Sequence, residues 1–354
     1  MNRKIAVAAI LIPTLVVAAA TWQTIARLPG GSASAAPSRA AAHDQVQMRM
    51  SMPMRAPVST GAATRVRVGA KVKPMSMAPA ANRRVPYGTA SLAYKLDHGV
   101  KVFHLVARRA KWRVDAHTVI NAWTYNGQVP GPVLRFRQGD RVRIIVTNEL
   151  PEATAAHWHG LDVPNAMDGV PGVTMKPIAP GKSFVYAFTV TSAPGLYIYH
   201  PHYDTLKQEG LGMYGALIVD PRTGPAPGVH EMIQVLSSFQ GSYLINGKSF
   251  PATDAYNFSA GSKVLIGTIS ADVDMNHPMH LHGFSFREVG INGGAVPGRL
   301  QYPMYEQDVA PGETFDMLFT ANHRGVWLYH CHNLTHVTDA DGQDTGMITV
   351  LKVT

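Results

Sequence analysis

The chain has 354 residues, 46% hydrophobic and 16% charged, with 32 glycines, 25 prolines and a single cysteine. Such a length suits two or three domains; the composition excludes wholesale disorder, and one cysteine excludes a disulfide framework or a multi-cysteine zinc ribbon. The net charge of +9 divides unevenly, +11 on residues 1–86 and −2 on residues 87–354, so the basic excess that would point to nucleic-acid binding belongs to the leader and linker and not to the folded part.

Arg3 and Lys4 precede an apolar run from Ile5 to Thr21, and an Ala33-Ser34-Ala35 stretch follows. Residues 1–35 read as an export signal. The run is long for a signal peptide, slightly short for a spanning helix, and contains Pro13, so cleavage and retention as a membrane anchor both stand. Either outcome places the rest of the chain outside the cytoplasm, periplasmic or extracellular. Residues 36–86 are rich in Ala, Pro, Ser, Arg and Met without a sustained period and read as a disordered linker. Met48, Met50, Met52 and Met54 alternate there, and Met75 and Met77 repeat the spacing. Composition drift explains this; so does a thioether trap for Cu(I), since soft ligands select soft metals.

From Pro86 the segments are short, β-branched and aromatic, cut by Gly and Pro. Val133–Asn148, Ser183–Val190, Lys263–Ser270 and Thr314–Ala321 read as strands, and no helix-period stretch of similar length interrupts them. The two halves are copies. IAPGKSFVYAFTV (178–190) parallels VAPGETFDMLFTA (309–321), GLYIYHPH (195–202) parallels GVWLYHCH (325–332), and GMYGALIV (212–219) parallels GMITVLKV (346–353). The expectation is all-β: two tandem Greek-key β-sandwich domains, over residues 87–226 and 227–354.

Four His-x-His pairs follow: His157/His159, His200/His202, His280/His282 and His330/His332. In a strand, residues i and i+2 share a face about 7 Å apart along the chain, so each pair can offer two imidazoles to one metal cluster. A lone histidine is more often structural, and His98, His104, His117, His230 and His323 are read that way. Cys331 lies between His330 and His332, with His336 five positions on and His277 three before His280. A thiolate, two imidazoles and a distant methionine make a blue-copper electron-transfer site. The peptide also makes Cys331 a covalent wire, because both adjacent histidines can hold other copper ions.

On these motifs the chain, from about residue 115 to its end, resembles the multicopper oxidases (laccases, cuprous oxidases and their two-domain relatives), whose domains are cupredoxin-like. The resemblance implies four coppers per chain. A type 2 ion would take His157 and His280. A type 3 pair would take His159, His200, His202, His282, His330 and His332. A type 1 ion would take His277, Cys331 and His336, with Met347 axial. It implies one-electron oxidation of a small reductant, Cu(I) or a phenol or aromatic amine, repeated four times and coupled to reduction of O2 to two waters, with a role in copper tolerance. Asp168 stands where similar oxidases place a proton-relay carboxylate; Asp162 is nearer His159 in sequence, and a turn-capping role serves either. A homotrimer is expected, each cluster joining domain 1 of one subunit to domain 2 of the next.

One departure from the family pattern is that Met347 follows His336 by eleven residues rather than five, across a loop bearing Asp339, Asp341 and Asp344. Alignment of the halves still places Gly346-Met347 opposite Gly212-Met213. Opposite His277, Cys331 and His336 it places Thr154, Pro201 and Leu206, so domain 1 carries no type 1 site. That weighs against a two-domain copper nitrite reductase, whose type 1 cysteine lies in the first domain. A copper-sequestering export protein is the other alternative, and the Cys-His wire would be pointless in it.

Overall fold

The computed structural model describes residues 90–354; the expected leader and the methionine-rich segment lie outside the described residues. Period-2 burial builds the sheets. In Arg141–Asn148 the side chains of Val142, Ile144, Val146 and Asn148 are buried, and those between them are more exposed. The stretch 133–148 is two strands, Gly131–Arg137 and Arg141–Asn148, which enter different sheets. Gly139, at φ +93°, supplies the turn between them.

The first half pairs a sheet of Lys95–Asp97, Val100–Arg113, Arg141–Asn148 and Ser183–Thr189, with Val119–Tyr125 on the second strand, against one of Gly131–Arg137, Gly215–Asp220, Gly195–His200 and His157–His159. The second half repeats the plan. Val229–Phe239, Ser262–Ser270, Thr314–Ala321 and Phe286–Ile291 lead one sheet, and Ala255–Phe258, Ile348–Val353, Gly325–Cys331, His277–Leu281 and Glu306–Val309 form the other. Each half mixes parallel and antiparallel pairs at equivalent places. Val100–Arg113 runs parallel to Arg141–Asn148, and Val229–Phe239 runs parallel to Ser262–Ser270. Among the described residues no helix is long and apolar enough to cross a membrane.

Each half has its own core, around Phe103, Ile144, Trp158 and Tyr186 in the first and Tyr256, Phe286, Met317 and Tyr329 in the second. A third cluster joins them, with Leu196, Ile198 and Ile218 against Ile233, Val235 and Ile269. Each such buried aliphatic side chain contributes about 1.5–3 kcal/mol, which fixes the two halves as one body. Arg135 adds a polar tie, bonded to Asp220 of its own half and to Glu231 of the other at 2.6–2.9 Å.

Candidate metal centres

The histidine pairs are set by what lies between them. Trp158 is fully buried against Tyr186 and Tyr199, and its indole N–H donates to the Met167 carbonyl at 3.1 Å. Pleating then turns His157 and His159 together to the opposite face. Leu281 and Cys331, both buried, do the same for His280/His282 and His330/His332. Register completes the duplication, for His157 pairs with His200 as His280 pairs with His330.

His277, Cys331 and His336 meet in the second half and are all buried. His277 Nδ1 and His336 Nδ1 lie 3.2 Å apart, and Cys331 Sγ is 3.9 Å from the first and 3.5 Å from the second. Three N/S ligands about 2.0–2.3 Å from one ion lie roughly 3.5 Å from one another, so the trio fits a single small metal ion. Its chemistry fits as well. Burial pushes the Cys331 thiol up to about 11, so a thiolate here calls for a bound cation. His277 Nε2 faces Asp272 Oδ2 at 3.1 Å, with both side chains inaccessible to solvent, which leaves Nδ1 for the ion. Burial alone would raise the Asp272 carboxyl. Its hydrogen bond with His277, the charge of that ring, Ser238 and the Asp274 amide outweigh burial and hold it below the usual range.

Met347 is brought to this trio by its main chain. Its amide donates to the His336 carbonyl at 3.0 Å, and its own carbonyl accepts from the Cys331 amide at 3.1 Å. Gly346 makes that return possible, since at φ +69° a Cβ would lie 2.0 Å from the His336 carbonyl oxygen. In the first half the equivalent positions hold no such group. Thr154 is buried and bonded to Gln208, Pro201 is buried and Leu206 points to solvent.

The eight paired histidines form two sets of four. In the first, the ring centres of His157 lie 5.8, 5.4 and 5.5 Å from those of His159, His200 and His202. In the second, those of His280 lie 4.7, 5.6 and 5.7 Å from His282, His330 and His332. Among the described residues no ring contact joins one set to the other. His202 and His332 are exposed, and a cavity of about 220 Å³ lined by His159, Tyr197, Asn292 and Gly312 opens beside the first set.

Carbonyl oxygens fix the rings: Asp168 at His157 Nδ1 (2.8 Å), Pro201 at His200 (3.0 Å), Tyr305 at His280 (2.9 Å) and Cys331 at His330 (2.8 Å). Each leaves Nε2 for a metal. His159 is turned the other way, with Nδ1 3.2 Å from His200 Nε2. Burial holds His200 down to about 3, and burial followed by neighbouring rings lowers His159, His282, His330 and His336. Neutral imidazoles are what metal binding requires.

Of the two aspartates, Asp168 lies at the site: besides its carbonyl, its carboxylate is 3.4 Å from His157 Nδ1. Gly169 allows that approach, because at φ +87° a Cβ would meet the Ala156 carbonyl oxygen at 1.9 Å. Asp162 is exposed and its amide donates to Ser192 Oγ. Sequence reasoning did not single out Asp272, nor Glu209, whose carboxylate is 3.3 Å from His200 Nδ1 and which burial, then the Asp272 charge, pushes up to about 8. It also passed over Tyr243, stacked on His336 with ring centres 3.9 Å apart and planes 20° from parallel. No motif marks these residues; each is made relevant by folding alone.

Two family models described as multicopper oxidase match residues 107–224 and 225–353. Copper resistance protein A of Escherichia coli is 40% identical over 157 residues, covering 43% of this chain and 25% of that protein. Laccase-1 of Cryptococcus neoformans is 28% identical over 245 residues, covering 56% of this chain and 38% of that protein. The chain therefore spans well under half the length of these curated relatives. Among solved structures, a blue copper oxidase from Nitrosomonas europaea superposes with a TM-score of 0.67 at 29% identity, covering 71% of this chain and 85% of that one. The multicopper oxidase mgLAC does so with 0.67 at 30%, covering 71% and 86%.

Proposed function

The chain belongs to the multicopper oxidase family, and we propose that it couples four one-electron oxidations of a small reductant to reduction of O2 to two waters. The observation that carries this is Cys331, held within one buried N/S trio while its chain neighbours His330 and His332 belong to a second, histidine-only set. When bound, copper supplies the electron transfer and the chemistry at dioxygen. The protein supplies the route, since one cysteine and its two peptide neighbours link the electron-accepting site to the oxygen-reducing one.

A type 1 ion would be held by His277, Cys331 and His336 together with Met347, and a type 2 ion by His157 and His280. The type 3 pair falls to His159, His200, His202, His282, His330 and His332. This makes four coppers per chain. Asp168, beside His157, is the proton relay in preference to Asp162. The substrate is Cu(I) or a phenol or aromatic amine. The chain is exported, to the periplasm or beyond, and its relative's name, copper resistance protein A, supports a role in copper tolerance.

Each chain's two histidine sets are separate half-sites, and the proposed cluster joins a set from one subunit to the other set of the next. Exposed apolar side chains support this: Leu206, four residues after His202, Leu334, two residues after His332, and Tyr305, whose ring centre lies 5.9 Å from that of His280. A head-to-tail contact of this kind closes into a ring when the rotation permits, here a homotrimer.

Substituting Cys331→Ser tests the assignment. The wild type loaded with copper should be blue from thiolate-to-copper absorption; the variant should be colourless and fail to consume O2, yet keep the copper held by the histidine sets. A colourless wild type loaded with zinc under copper-replete expression would contradict it.

A further inference from the structure

His336 is 5% exposed, so an organic reductant can touch little of it. What covers it is Tyr243, whose ring lies face to face on the imidazole at 3.9 Å and 20°. Tyr243 stands on Ser242–Ile245, the edge strand of its sheet, joined to Val229–Phe239 through Gln240 and Gly241, both at positive φ. It is half-buried, and its hydroxyl has no hydrogen-bond partner among the described residues. The same hairpin reaches the other imidazole ligand: Ser238, paired with Tyr243 across the strands, hydrogen-bonds Asp272 beneath His277. Gly346, at the end of the long loop, packs its backbone beside Tyr243, where a Cβ would lie 3.6 Å from that of the tyrosine. One hairpin therefore holds both imidazoles of the trio and places an accessible aromatic ring over the more peripheral one.

We propose that Tyr243 is the docking platform and electron port for planar aromatic reductants, which stack on or beside its ring and reduce the buried site through the Tyr243–His336 pair. The inference rests on the proposed function and names the substrate class of that site. In each event a phenol gives up one electron and loses its O–H proton to solvent, and one cupric ion is reduced to cuprous; no bond to the protein forms or breaks. Two π-faces at van der Waals contact provide a through-ring path, and aromatic stacking supplies specificity that a buried imidazole edge cannot.

The test compares Tyr243→Phe, Tyr243→Ala and Tyr243→Leu in the copper-loaded full chain. The blue band and type 1 potential are recorded first, and the band's bleaching is then followed anaerobically with hydroquinone and with hexacyanoferrate(II), which has no ring to stack. Bleaching by hydroquinone should be retained in Tyr243→Phe and slowed roughly three- to tenfold in Tyr243→Ala. The hexacyanoferrate(II) rate and the potential should hardly change. As a readout without turnover, saturation-transfer NMR should detect unoxidisable benzamide on the wild type and lose it on Tyr243→Ala. If the alanine variant does not hold its blue band, Tyr243→Leu takes its place. Wild-type hydroquinone rates in the variant, or equal losses with both reductants accompanied by a shifted potential, would overturn the proposal and leave the oxidase reading intact. A wild type without a blue band would overturn both.

Discussion

Replacing Asp272 with alanine removes the acceptor of a buried His277 Nε2–H and leaves that donor with no solvent to turn to, because both side chains are inaccessible. An unsatisfied buried donor costs about 1–3 kcal/mol of stability. The larger consequence falls on the ion, since the carboxylate fixes which nitrogen carries the proton and makes the other a better ligand. Loss of such a partner weakens metal binding about 10–100-fold, or about 1.4–2.7 kcal/mol. Asp272→Asn keeps an acceptor oxygen without the charge and should fall between wild type and alanine. The assay is competition with a copper chelator, followed by thiolate-to-copper absorption, with the histidine-set copper counted as an internal control. An alanine variant whose blue site holds copper within about twofold of wild type would show that Asp272 does not support His277 as a ligand.

Burial, followed by the Glu231 charge, holds the Asp316 carboxyl up at about 6 against an ordinary 3.8, so the folded chain keeps this proton to higher pH than the unfolded one. Stability from this group therefore falls as pH rises from 3.8 to about 6 and is flat above, and Asp316→Asn should stabilise by on the order of 1–3 kcal/mol at pH 7 but little at pH 4. Equal shifts in denaturation midpoint at the two pH values would contradict this. Gly169→Ala forces a Cβ against the Ala156 carbonyl at positive φ and should cost at least about 1–3 kcal/mol in a melt, with loss of the type 2 copper EPR signal; an unchanged melt and signal would contradict it. Light scattering should report a trimer whose O2 consumption vanishes on dilution to monomer, and an active monomer would rule out clusters shared between subunits. Joint replacement of Met48, Met50, Met52, Met54, Met75 and Met77 should slow Cu(I) oxidation at low copper and spare phenol oxidation, whereas an equal loss of both, or of neither, would remove the case for a thioether trap.

The grouping of the histidines was legible because a strand's period of two converts His-x-His directly into two imidazoles on one face, and duplication repeated the signal four times. The sandwich halves were legible for the same reason, as alternating runs such as Arg141–Asn148 and Thr314–Ala321. The parallel pairing of Val100–Arg113 with Arg141–Asn148 was not, because strands read alike whichever way their neighbours run. Nor could sequence choose between Asp168 and Asp162. The choice depends on a three-residue 3-10 turn, Asn165–Met167, and on Gly169 passing against Ala156. Asp272, Glu209 and Tyr243 carried no signal, being ordinary residues outside any motif that packing sets against His277, His200 and His336.

If electrons collected one at a time at the Cys331 site reduce dioxygen fully, the stoichiometry of the reaction is fixed. Oxygen uptake is measured against oxidation of hexacyanoferrate(II), a strict one-electron donor, with hydrogen peroxide assayed in the same vessel. Four equivalents should be oxidised per O2 with no peroxide, as complete reduction to water requires. Two equivalents per O2 with accumulating peroxide, or donor oxidation without oxygen uptake, would contradict it.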